Sequence, residues 1–92
     1  MSGRIRIEEV LRFLDLEPDG LLVELRHEGL FPSDELSSEE AEELRVAAVL
    51  VREMGVNPAG VEVALHLRRR LLCLEDRMRR VLRELYDPEA HR

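Results

Sequence analysis

Ninety-two residues, 45% apolar and 37% charged, can build one small compact domain and are too apolar for a wholly disordered chain. One cysteine excludes a disulfide framework and a cysteine-rich zinc site, and no apolar run is long enough to span a membrane. The net charge of −6 has the wrong sign for a domain whose affinity comes from neutralising phosphates.

The charge is unevenly spread. All fourteen basic residues are arginines. Residues 1–66 carry six of them against fifteen acids, a net of −9, and residues 67–92 carry eight against five, a net of +3. An acidic body steers towards a basic partner. The opening MSGRIRIEEV has no apolar stretch before its acids, so no secretory signal is expected and the cytoplasm is the expected compartment.

Four helices are predicted. The first runs from Ile7 to about Leu14, with Ile7, Val10, Leu11 and Leu14 spaced by three and four and Phe13 beside them. Glu8 and Glu9 sit in its first turn, where the helix dipole favours acids. Leu16-Glu17-Pro18-Asp19 is a turn. The second helix runs from Pro18 or Asp19 to His27, with Leu21, Leu22 and Leu25 as its stripe and Gly29 as a left-handed cap. The third starts at a capping box, Ser37 with Glu40, and carries Ala41, Leu44, Ala47, Ala48, Val51 and Met54 until Gly55 stops it. The fourth starts at Asn57-Pro58, a cap followed by a first-turn proline, and runs to about Tyr86 before Asp87-Pro88. Nearly thirty residues make a helix of about 43 Å. The organisation is thus a helical body, 1–56, a long pairing helix, 57–86, and a tail, 87–92.

The fourth helix carries the sharpest pattern. Ala64, Leu67, Leu71, Leu74, Met78, Val81 and Leu85 alternate by three and four, a heptad seam. With Leu71 at position a, Glu75 falls at e and Arg70 and Arg77 at g, mixed signs that suit another helix. Self-association through residues 64–85 is therefore expected, with Leu67, Leu71, Leu74, Met78, Val81 and Leu85 inside the interface and Arg69 and Asp76 facing solvent. An antiparallel pair would separate the two acidic bodies. The heptad also allows a trimer, a different partner, or packing on the first three helices. Val61, Leu65, Leu72 and Leu82 widen the stripe.

No catalytic constellation is present. His27, His66 and His91 form no pair at a metal-binding interval, and no glycine-rich phosphate loop exists. A reactive Cys73 would need a base held nearby, and the arginines around it lower a thiol pKa but accept no proton; it reads as a small, partly buried hydrophobe. Tyr86 reads as a packing residue. No enzyme, metal or cofactor is expected. The first two helices have the spacing of a helix-turn-helix, but the second presents Asp19, Glu24 and Glu28 against only Arg26 and His27. The basic clusters, Arg68-Arg69-Arg70 and Arg79-Arg80, lie on the pairing helix instead.

Two stretches carry a family resemblance: Glu28-Gly29-Leu30-Phe31-Pro32, and the run from Leu44-Arg45 through Met54-Gly55-Val56-Asn57-Pro58-Ala59 into Gly60-Val61-Glu62-Val63-Ala64-Leu65. The chain resembles the MerR-type helix-turn-helix superfamily, most closely its CbpM-like chaperone-modulator branch, over about residues 5–85. The last hexapeptide is similar to the family's opening of its long final helix. The resemblance implies an all-α, winged-helix-like body of three helices followed by one long C-terminal helix. MerR regulators insert a wing between their second and third helices; here Pro32–Leu36 leaves no room for one. It implies binding to a J-domain co-chaperone or to the DnaK–DnaJ complex, with MerR-like DNA-binding transcription regulation as the alternative. Within that expectation the acidic Glu24, Glu28, Glu39, Glu40 and Glu43 form the partner interface, with Leu21 and Leu25 as apolar anchors.

Overall fold

The computed structural model describes residues 3–87 and 89, and for Pro18 and Asp19 the backbone alone. Most of the expected tail, His91 included, lies outside the described residues. Helix α1 spans Ile7–Phe13, a π-type turn at Pro18–Leu22 leads into α2 at Val23–His27, α3 spans Ser38–Met54 and α4 spans Pro58–Tyr86. The domain is helical, with one long C-terminal helix. One addition was not expected: a two-residue strand β1, Ile5–Arg6, pairs antiparallel with β2, Glu35–Leu36, in the register Ile5 to Leu36 and Arg6 to Glu35. The connector before α3 therefore makes no wing, but ties the N-terminus down. Ile7 extends the tie by donating its N–H to the Asp34 carbonyl at 2.8 Å.

The helix ends follow local chemistry. Ser37 Oγ accepts from the Glu40 N–H at 3.1 Å, and the Glu40 carboxylate accepts from the Ser37 N–H at 3.0 Å. Both halves of the capping box are thus formed, and the N–H of Ser37 holds the Glu40 carboxyl below its usual range. Gly55 closes α3 in the left-handed conformation, φ 65°, with the Val56 N–H returning to the Leu50 carbonyl. Gly29, φ 82°, closes α2 in the same way. Asn57 Oδ1 accepts from the Gly60 N–H at 2.7 Å to start α4. The Arg52 guanidinium reaches across from α3 to the exposed carbonyl of Leu14 at 3.2 Å, just past the end of α1.

One core holds the body together. Ile7, Val10 and Leu11 of α1, Leu22 and Leu25, Leu30 and Phe31, Leu36, Leu44 and Ala47 of α3, and Val61 and Leu65 of α4 form a single buried cluster. The α4 contribution is the Val61–Leu65 stripe, two residues one turn apart. Val61 and Leu65 of the widening set, not the heptad seam, meet the body, while Leu72 and Leu82 stay exposed. At 100° per residue the seam is centred about 140° around the helix from that stripe. From Cys73 to Tyr86 every residue except Asp76 is exposed, so α4 leaves the body as a rod of about 21 Å. The molecule measures 57 × 30 × 21 Å as a result.

Candidate interaction surfaces

The seam is an exposed apolar face of α4. Leu67, Leu71, Leu74, Met78, Val81 and Leu85 are each between 54% and 65% exposed. The alternative that it packs on the first three helices is not what the chain adopts. Two charged positions on the face opposite the seam behave differently from each other. Asp76 pairs with Arg80 one turn on, along the outward face. Arg69, expected to face solvent, is exposed, and its guanidinium also grips the Glu43 carboxylate with two hydrogen bonds, Nη2 to Oε1 at 2.9 Å. That bond holds Arg69 further in its charged form than usual.

Two of the expected partner-interface residues are buried, and this corrects their assignment. Leu25 is 0% exposed, inside the core, so it cannot anchor a partner while the body stays folded. Glu43 is 5% exposed and is taken by Arg69. Burying a carboxylate requires such a partner. Leu21 is half-buried against the core, and Glu24 and Glu28 are exposed. Glu39, Glu40 and Glu43 share one acidic groove with Ser38, Glu42, Arg68, Arg69 and Leu72, at the corner of α3 and α4. Leu21, Glu24, Leu25 and Glu28 do not line it.

A second groove was not anticipated. It lies between α1 and α3, has a volume of about 400 Å³, and has an apolar floor of Ile5, Val10, Leu14 and Ala41. Phe13 stands at its lip, 88% exposed. Glu9, Glu42 and Arg45 border it. Arg45 chelates Glu42 through Nε and Nη2, which keeps the Glu42 carboxyl below its usual range. The only trace of this groove in the sequence is Phe13, an aromatic one step off the α1 stripe.

The one arginine of α2 is engaged within the chain. Arg26 donates from Nε to the Phe31 carbonyl at 2.8 Å and from Nη2 to Ser33 and to Asp34 Oδ1. It straps the connector, where buried Phe31 has a φ of 51°. Among the described residues no group of three or more His, Cys, Asp or Glu could hold a metal ion, and no helix is long and apolar enough to cross a membrane.

The hexapeptide behind the family resemblance has a structural account in this chain. A Cβ on Gly60 would lie 2.7 Å from a Val56 methyl and 3.1 Å from Asn57 Oδ1. Val61 and Leu65 are core residues. The pattern thus fixes how α4 starts and how it seats on the body. No family model, no curated protein and no solved structure matches the chain.

Proposed function

We propose that this chain is a non-enzymatic modulator of a DnaJ-type co-chaperone, or of the DnaK–DnaJ complex, that works in the cytoplasm by protein–protein binding. The observation that carries the proposal is the α1–α3 groove. An apolar floor, an exposed aromatic at the lip and a rim of Glu9 with the Glu42–Arg45 pair, on a body of net −9, make a docking surface for a basic helix that brings one apolar side chain. The resemblance to the CbpM-like branch supplies the partner class, the J-domain. Glu9, which borders the groove, replaces Glu43 as its acidic contact, and Phe13 replaces Leu25 as its anchor. MerR-like DNA binding is the weaker alternative, because the one arginine of α2 is already engaged with the connector.

Calorimetric titration of the whole chain against a J-domain tests this. Binding should weaken with added salt, as expected for an acidic surface meeting a basic one. Phe13→Ala should weaken it by about tenfold or more, the loss expected for a central aromatic anchor. The same substitution should leave thermal stability within about 0.5 kcal/mol, because the side chain is exposed. No binding at micromolar concentration and low salt would overturn the proposal. Binding that is indifferent to Phe13 would remove the groove from it.

A further inference from the structure

The groove beside Phe13 continues past the end of α1. Leu14 and Arg45 border it and also border a second hollow of about 360 Å³, completed by Ala48, Val49, Arg52 and Glu53 of α3. From Ser38 to Glu53 the two hollows follow α3 for about 22 Å. We propose that together they hold one amphipathic helix of a partner, about four turns long, which carries a carboxylate seven positions from its apolar anchor. This rests on the reading of the groove as a docking surface, and not on the partner being a J-domain.

Shape selects a helix. The walls are α1 and α3, whose interior backbone groups bond within their own turns. An extended peptide would leave its N–H and C=O groups unpaired over an apolar floor, whereas a helix satisfies them itself. Ala41 and Ala48, the α3 residues on the α1 side, keep that floor low.

Charge selects the carboxylate and its place. At the Phe13 end the α1 rim carries Glu9, and Glu42 is already chelated by Arg45. Further along, Arg45 and Arg52 stand one turn before and one turn after Ala48 on the same line of α3, and both are exposed. Arg45 engages Glu42 through Nε and Nη2, and Arg52 engages the Leu14 carbonyl through Nη1. Each therefore keeps guanidinium N–H groups for another acceptor. Glu53 borders this hollow without a hydrogen bond to either arginine. A carboxylate over Ala48 would meet both guanidinium groups, and a basic side chain there would meet two like charges. The apolar hollow is centred near Ala41 and the arginine pair near Ala48, about 10.5 Å apart, which is two turns of the docked helix. The net charge of the body attracts a basic helix at long range; the arginine pair sets its register and rejects one that is basic throughout.

Fluorescence anisotropy of designed helical peptides against the whole chain, at low salt, tests the inference. Each peptide has about eighteen residues, with two leucines one turn apart for the groove and a lysine for Glu9. They differ only in the residue seven positions from the first leucine, away from the lysine: Glu, Gln or Lys. The Glu peptide should bind about fivefold tighter than the Gln peptide, the size of one exposed ion pair, and the Lys peptide more weakly than both. Arg52→Glu should invert the order of the Glu and Lys peptides, because the new carboxylate with Glu42 and Glu53 then outnumbers Arg45. Arg52→Gln, which keeps a donor for the Leu14 carbonyl, should narrow the differences, with helical circular dichroism retained in both variants. Phe13→Ala should weaken all three peptides alike, which seats them in the groove. Equal affinities for the three peptides, an order that Arg52→Glu leaves unchanged, or no binding at about 1 mM would overturn the inference. If the co-chaperone reading alone is wrong, the J-domain titration fails while the peptide order persists.

Discussion

The body and the far half of α4 are built from the same helical spacing and end in opposite states. In the body, apolar residues three and four apart meet neighbours, and Leu11, Leu25, Leu36, Leu44, Val61 and Leu65 are almost fully buried. Along the rod the same spacing is more regular still, and every large apolar side chain remains exposed. Periodicity specifies a face; it does not specify what lies opposite that face. What separates the two regions is chain length. The buried core of the short body reaches only the first third of α4, so the apolar surface beyond it has no place in that core. Stability should therefore reside in the body and association in the rod.

Substitutions that cross this division sharpen the contrast. The largest effect should come from Leu65→Ala, which opens a cavity where α4 meets the core and should cost about 2–4 kcal/mol in chemical denaturation. Leu74→Ala, the same chemistry on the rod, should leave the stability of the dilute monomer within about 0.5 kcal/mol. A comparable loss at both positions would mean that the rod is part of the folded core.

Arg69→Ala should come next, at about 1–3 kcal/mol, because it strands the Glu43 carboxylate in a buried position. Glu43→Ala should cost less, since the exposed guanidinium of Arg69 can return to water. Equal costs would show that the pair, and not the desolvated carboxylate, sets the energy. Ser37→Ala should follow at about 1 kcal/mol through loss of the α3 cap.

The smallest effect is one of pH. The Glu40 carboxyl is held below its ordinary value of 4.5 by the Ser37 N–H. Its contribution is therefore fully present above that value and is lost as pH falls through the depressed one. Glu40→Gln keeps an acceptor for the cap and removes the titration. Below about pH 4.5 the stability of the variant should fall less steeply than that of the parent, by less than about one proton in slope.

The helix boundaries were legible because caps are local chemistry: Ser37 with Glu40, Asn57 with Pro58, Gly29 and Gly55 all act within a few residues. The two-residue ladder was not legible, since pairing Ile5–Arg6 with Glu35–Leu36 leaves no periodicity to read. The π-type turn at Pro18–Leu22 shifts the phase of the second helix, so spacing alone could not say that Leu25 lies deeper than Leu21. Glu43 was hidden in a run of glutamates that looked solvated. Its signal was its place four residues before Ala47 on the buried stripe of α3. The seam residues share one exposed face; the direction of that face relative to the body depended on Val61 and Leu65 taking the core face.

The separation of stability from association is tested most directly by thermal unfolding as a function of protein concentration, in the parent and in Leu74→Glu. Association stabilises the folded state by mass action, so the Tm of the parent should rise with concentration. The Tm of the variant should not change, and the two should converge at the lowest concentration. A variant less stable than the parent at every dilution, or a parent whose Tm ignores concentration, would contradict the account.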